Sequence, residues 1–291
     1  EIKPEEVTRA VAVLFPTVPA LKAITSAGAA GPALSPDGTK VAFMKTAGKQ
    51  SDIFILDLND SPLGILNRDP RPLGEIRNSK FEIRNLVWSP DSKQILAIST
   101  PDAQLIDINQ QSTKLIASPS AILNQWNLTT ITREAQKFST LPAQLQNILA
   151  TAAANLVWSP KENKVLYTAT ASAVIATDLI RQLPGSSTQP QARGLQAGKV
   201  YVYDTEEDRN FAVGTAKDKL SWFPTSNHLV KLEPGQVTIL EYDGGNPTVV
   251  YAGPIENGYA FPYPSSRQLL ILANLNPTLS KIANLYAVSL R

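Results

Sequence analysis

Apolar residues along this chain come in short runs bounded by turn formers, and one run–turn–run phrase returns five times. Its copies read Leu34-Ser-Pro-Asp-Gly38, Trp88-Ser-Pro-Asp-Ser92, Trp158-Ser-Pro-Lys-Glu162, Trp222-Phe-Pro-Thr-Ser226 and Pro262-Tyr-Pro-Ser-Ser266. The second copy shows the grammar. Asn85–Trp88 is an apolar strand, Ser89–Ser92 a tight turn whose proline presets φ, and Gln94–Ile98 the next strand. Gln104–Ile108 and Thr113–Ala117 complete the unit. Four strands in about forty residues, repeated, predict a propeller blade.

Third strands recur at Asp52–Asp57, Lys199–Asp204, Gln236–Glu241 and Asn284–Ser289, and fourth strands at Asp208–Val213 and Asn246–Tyr251. Val200-Tyr-Val-Tyr203 is apolar on both faces, as suits a strand sandwiched between blades. The fifth unit has only three strands, which would leave an exposed edge. Ala20–Thr25 stands where a fourth strand always stands, just before the first copy, so it is expected to close the ring against 284–290. Removing 1–26 should then destabilise the whole ring.

The repeat prolines (36, 90, 160, 224 and 264) are unevenly spaced, and the excess marks insertions at 121–154 and 168–198. In the first, a helix is expected to open at Ser139–Pro142, with Leu141, Leu145, Ile148 and Leu149 on one face. A short helical turn at Thr132–Lys137 precedes it. The second insertion is Ala/Thr/Ile-rich, then reads as a flexible surface loop over Leu183–Gly194. The expected fold is all-β: one five-bladed propeller of four-stranded antiparallel blades over 20–291, with a short helical insertion and an N-terminal arm, 1–19. Residues 1–16 fit a helix and an extended arm equally well.

Composition narrows function mostly by exclusion. A net charge of +2 without blocks of like charge lacks the footprint of a nucleic-acid binder. No apolar run is long enough to span a bilayer, and no signal peptide is visible. With no cysteine, thiolate nucleophiles, disulfides and zinc–sulfur sites are excluded. That composition also suits an oxidising compartment.

The phrase Leu34-Ser-Pro-Asp-Gly-Thr-Lys-Val-Ala-Phe43 resembles the TolB-type propeller repeat, in which such a turn joins the first two strands of a blade. Trp88-Ser-Pro-Asp and Trp158-Ser-Pro repeat it well; the last two copies keep the proline and the apolar strand. The stretches Asn155-Leu-Val-Trp-Ser-Pro160, Lys164–Ala171, Leu183-Pro-Gly-Ser-Ser-Thr188, Val200-Tyr-Val-Tyr-Asp204 and Leu220-Ser-Trp-Phe-Pro-Thr225 are similar to the C-terminal propeller of PEGA-domain proteins from candidate-phylum bacteria. A membrane span and a small sandwich usually precede that propeller. The resemblance therefore implies an extracytoplasmic module at the cell surface, anchored through a segment outside this sequence. It brings no catalytic residues.

The candidate chemistry is thin. His228 is the sole histidine, enters a strand straight after a turn, and has no Gly-x-Ser-x-Gly elbow beside it. Asp37 and Asp91 sit at turn positions, and Asp57, Asp107, Asp204 and Glu241 end third strands; such recurrence marks a structural role. Asp204-Thr-Glu-Glu-Asp208 matches a calcium loop in charge but not in spacing, and reads as a solvated hairpin turn. No metal or cofactor is expected. Trp88, Trp158 and Trp222 share one slot and read as core between blades.

Trp126 stands outside the repeat, with packing of the inserted helix as its first reading and recognition as its second. The Tyr259-Ala-Phe-Pro-Tyr263 cluster is weighed the same way, and Arg181 and Arg193 lie in the second insertion. Trp126, Arg181, Arg193, Tyr259 and Tyr263 are therefore the candidate binding residues, because loops on a rigid scaffold usually carry binding. The expected function is a non-enzymatic, exported protein-binding or self-assembling module. The alternatives are a glycan- or peptidoglycan-binding lectin-like domain and a hydrolase with carboxylates in the channel.

Overall fold

The structure is a computed structural model and describes residues 15, 19–47, 50–59, 69–73, 83–99, 102–180, 189–278 and 281–290. Among them, five four-stranded antiparallel sheets follow one another as the blades of a propeller. The first blade is β2 (Ala30–Leu34), β3 (Lys40–Ala47), β4 (Gln50–Asp57) and β5 (Arg71–Pro72); an earlier short strand, β1 (Leu21–Ala23), belongs elsewhere. The second is β6 (Asn85–Trp88), β7 (Gln94–Ile98), β8 (Ala103–Asp107) and β9 (Ser112–Ile116).

Helices α1 (Pro119–Ser139) and α2 (Ala143–Ala152) then intervene. The third blade is β10 (Ala153–Trp158), β11 (Lys164–Ala169), β14 (Lys199–Asp204) and β15 (Arg209–Thr215), interrupted by the two-stranded β12 (Ala173–Val174) and β13 (Gly194–Leu195). The fourth is β16 (Lys219–Trp222), β17 (His228–Glu233), β18 (Gln236–Glu241) and β19 (Thr248–Ala252). In the fifth, β20 (Ala260–Pro262), β21 (Gln268–Ala273) and β22 (Asn284–Ser289) are joined by β1, which pairs with β22 in the register Leu21↔Val288. Thr25 and Asn284 lock this closure: Thr25 Oγ1 donates to Asn284 Oδ1 at 3.0 Å and accepts from the Leu285 amide at 2.9 Å.

The repeated phrase is a hairpin with one left-handed residue. Its last position has φ of 70° at Gly38, 60° at Ser92, 58° at Glu162, 64° at Ser226 and 62° at Ser266. Only Gly38 adopts that conformation without strain, so the other four need compensation. In the phrases that end at Ser92 and Glu162, part of it comes from the leading serine, which the Gly38 phrase also carries. The hydroxyls of Ser35, Ser89 and Ser159 accept amide hydrogen bonds from Lys40, Gln94 and Lys164 at 2.9–3.1 Å. Ser35 and Ser89 also donate to Asp37 and Asp91, at 2.6 and 2.7 Å.

Second strands carry the ring's core. Seven places past the start of each phrase stand Val41, Ile95, Val165, Leu229 and Leu269; the next residues are Ala42, Leu96, Leu166, Val230 and Leu270. All ten are at most 5% exposed. Alternation turns the first set to the preceding blade and the second to the following one. Ala42 meets Ile95 between blades one and two, Leu166 meets Leu229 between three and four, Val230 meets Leu269 between four and five, and Leu270 meets Val41 between five and one. Val165 breaks the series. Its cluster contains Tyr167, Leu141, Leu145, Leu149, Ile175 and Leu195, all from blade three or from the insertions.

The insertions differ from expectation in extent. α1 is a full 21-residue helix beginning at Pro119, where a short turn over 132–137 was expected, and α2 starts after Pro142. Proline at the first helical position opens α1, and its Thr129, Thr130 and Thr132 hydroxyls bond back to the carbonyls four residues earlier at 2.8–3.0 Å. The described end of the expected flexible loop is pinned, because Gly194 pairs with Val174 in the small sheet. The arm lies largely outside the described residues, as do the alternatives for 1–16. Of residues 1–16 only Phe15 is described, packed against the cluster between blades four and five.

Candidate functional site

At two of the four junctions where blades meet directly, between one and two and between three and four, the phrase itself joins them. Trp88 Nε1 donates to the Ala33 carbonyl, and Trp222 Nε1 to the Val157 carbonyl, each at 2.9 Å. Beside each indole, the left-handed serine reaches back one blade: Ser92 Oγ accepts from the Asp37 amide at 3.0 Å and Ser226 Oγ from the Lys161 amide at 2.9 Å. A serine hydroxyl there offsets the strain of its positive φ. Between blades two and three this arrangement changes. Glu162 replaces the serine, and Trp158 is only half-buried, inside the insertion cluster.

The face that blade three turns towards this junction is covered by the insertions. α2 buries Leu145 and Leu149 completely against Tyr167 and Tyr201, with Leu141 just before it. α1 reaches both flanking hairpins with its last turns. Arg133 Nη1 donates to the Pro90 carbonyl at 2.9 Å, and Lys137 Nζ pairs with Glu162 at 3.0 Å and Glu134 at 3.3 Å. Burial alone would lower the Lys137 pKa, but these two carboxylates outweigh it and raise it.

A buried polar group holds the second insertion. Asp208, fully buried and at φ 50°, accepts from Tyr203 Oη at 2.6 Å and the Leu179 amide at 3.0 Å, and pairs with Arg193 at 3.2 Å. Arg193 also donates to the Ala176 and Asp208 carbonyls. Beside it, Tyr167 Oη donates to Asn210 Oδ1 at 2.8 Å, and Asn210 Nδ2 to the Ala192 carbonyl at 2.7 Å. Burial pushes both tyrosines' pKa values well up, so they act as donors at any physiological pH. The acidic run 204–208 is thus a hairpin, as read from its spacing, but Asp204 and Asp208 are buried rather than solvated.

Arg193 is consumed in this anchor. Arg181 lies outside the described residues. Tyr263 is buried, and Tyr259 half-buried, in the cluster between blades five and one, with the Tyr259 ring 5.9 Å from Phe261. Trp126 lies on α1 and is half-buried, on the same helical side as Leu123, Lys137 and Phe138. The structure therefore does not bring these residues into one pocket. His228 sits edge-on between Phe15 and Phe223, at 6.0 and 5.9 Å, and burial lowers its pKa. Among the described residues, no group of three or more His, Asp or Glu is placed to hold a metal ion.

What the sequence reading missed is the outward face of α1. Not one residue of this helix is buried. Ala121, Asn124, Leu128, Ile131 and Ala135 form an exposed stripe, with Leu128 64% and Ile131 54% exposed. The helix carries no charge before Arg133. This uncharged, apolar-centred stripe on a helix fixed at its far end is the candidate interaction surface.

No family model and no curated protein matches the chain. Among solved structures, TolB from Acinetobacter baumannii is similar over 91% of this chain, at 13% identity and a TM-score of 0.26. The chain spans 56% of that protein's length. An oligogalacturonate lyase in complex with manganese matches over 96% of this chain and 97% of its own, at 10% identity and a TM-score of 0.41. A chain of the mitotic checkpoint complex matches over 99% of this chain and 97% of its own, at 12% identity and 0.42. At these scores the fold assignment rests on the chain's own five sheets.

Proposed function

We propose that this propeller is a non-enzymatic protein-binding or assembly module, displayed outside the cytoplasm at a bacterial surface. The observation that carries this reading is the outward face of α1. Leaving Leu128 and Ile131 more than half exposed forfeits about 1–2 kcal/mol for each side chain that a partner could recover by burial. Arg133, Lys137 and Phe138 anchor the last turns of α1, which lowers the ordering cost of binding. The extracytoplasmic location is supported by the repeat's resemblance to surface-displayed propellers and by the cysteine-free composition.

The test is retention from a bacterial envelope extract on the immobilised protein, compared with the double variant Leu128→Glu/Ile131→Glu. Specific proteins held by the parent and lost by the variant are expected. Identical retention by both would overturn α1 as the binding face, and retention of none, with no self-association, would overturn the module reading.

A further inference from the structure

The exposed stripe on α1 has a definite period. Ala121, Asn124, Leu128, Ile131 and Ala135 are separated by three, four, three and four residues, the spacing of the facing seam of a two-helix coiled coil. All five are exposed. The side chains flanking the seam centre, Gln125, Asn127 and Thr132, are uncharged. Nothing in the described ring covers this seam. The half-buried side of the same helix, with Leu123, Trp126, Lys137 and Phe138, is a separate stripe.

Resting on the module reading above, we infer that the occupant is α1 of a second copy of this chain, packed antiparallel across a two-fold axis between Leu128 and Ile131. Three features select that occupant. A self-complementary contact must tolerate its own charges, and this seam and its flanks carry none until Glu134. The antiparallel register sets Leu128 against Ile131 of the partner and Asn124 against Ala135, so the large residues meet at the centre and each amide lies beside a methyl. Antiparallel packing also opposes the two helix dipoles and sets the two copies' Lys137 residues about 22 Å apart along the helix axis.

The contact is small. A helix of 21 residues is about 31 Å long, and its face covers roughly 300 Å², against about 800 Å² per partner in a standard interface. The pair therefore forms at high local concentration, as between copies held on one surface, rather than as an obligate dimer. Asn124 at a seam position weakens the pair and fixes its register.

Sedimentation of the whole chain over a wide concentration range tests this. The parent is expected to pass from monomer to dimer. Ile131→Glu should weaken the dimer roughly hundredfold by setting carboxylates near one another at the seam. Asn124→Leu should strengthen it about tenfold, a gain that a folding defect would not produce. Because the chain has no cysteine, single substitutions also report geometry. An equimolar mixture of Leu128→Cys and Ile131→Cys, treated with diamide, should cross-link faster than either variant alone.

A parent that stays monomeric throughout, or an Asn124→Leu variant that associates no better, overturns the inference. Self-linking of each variant faster than the mixture overturns the antiparallel arrangement. If the chain stays monomeric but still holds envelope proteins through α1, self-pairing fails and the module reading stands; if it does neither, both fail.

Discussion

The junction between blades three and four and the junction between blades two and three start from the same strand positions and end differently. In the first, Leu166 and Leu229 share one buried cluster, Trp222 bonds the Val157 carbonyl, and Ser226 bonds the Lys161 amide. A buried pair, Lys164 and Asp204 at 3.1 Å, adds to it, with Lys164 Nζ 4.6 Å from the Tyr242 ring of the next blade. In the second, Val165 meets α2 instead of a blade, and the contacts to both hairpins come from Arg133 and Lys137. A blade face needs an apolar cover, but the cover need not be a blade. Supplying it from a helix pair leaves one helix with a face to spare.

The largest expected difference between the two junctions is in their tryptophans. Trp222→Ala removes a buried indole and strands the Val157 carbonyl, and should cost about 3–5 kcal/mol, read by chemical denaturation. Trp158→Ala should cost clearly less, since its ring is only half-buried. Equal losses would mean that the third blade is latched to the second after all.

A subtler contrast lies in the hairpin serines. Ser226→Ala deletes the hydroxyl but keeps the left-handed backbone, and should cost about 1–2 kcal/mol. Glu162→Ser creates the same residue at the wedged junction, where no stabilisation is expected; loss of the half-exposed pair with Lys137 should cost at most about 1 kcal/mol. A stabilised Glu162→Ser protein would contradict the assignment of that junction to the insertions.

The smallest effect is one of pH. Burial tends to raise the Asp37 pKa, but hydrogen bonds from Ser35 and Thr39 outweigh it and hold it below the usual carboxylate value. The Ser89 hydrogen bond does the same for Asp91. Both pKa values are lowered on folding, so the stabilisation is complete above the unfolded value near 3.8 and is lost as pH falls through the folded values. The third phrase has Lys161 in that place and contributes no such term. Asp37→Asn/Asp91→Asn should therefore flatten the fall in melting temperature below about pH 4. An unchanged acid limb would remove the hairpin carboxylates from the account.

The fold was largely legible in the sequence, because every blade repeats one local rule and the count of strands exposes the missing fourth strand of the last blade. The closing strand could be placed at 20–25 on that ground alone. α1 was not legible to the same degree. Its β-branched run, Thr129 to Thr132, lowers helix propensity, and its apolar residues divide between a half-buried side and an exposed stripe instead of marking one core-facing side. Arg193 was read as a loop residue free for binding because its partner, Asp208, lies across a hairpin that looked solvated. Charge in a sequence does not say which carboxylate the chain will fold over.

The pairing of β1 with β22 has a consequence for the timing of biogenesis. Thr25 and Leu285 are 260 residues apart, so the strand that seals the ring leaves the ribosome before the ring's other strands and meets its partner last. At translation rates of about 5–20 residues per second, that wait is roughly 10–50 seconds. A longer apolar strand left unpaired for that time would invite another nascent chain. At three residues, all exposed, β1 offers little to capture, so its brevity protects the molecule during its own synthesis.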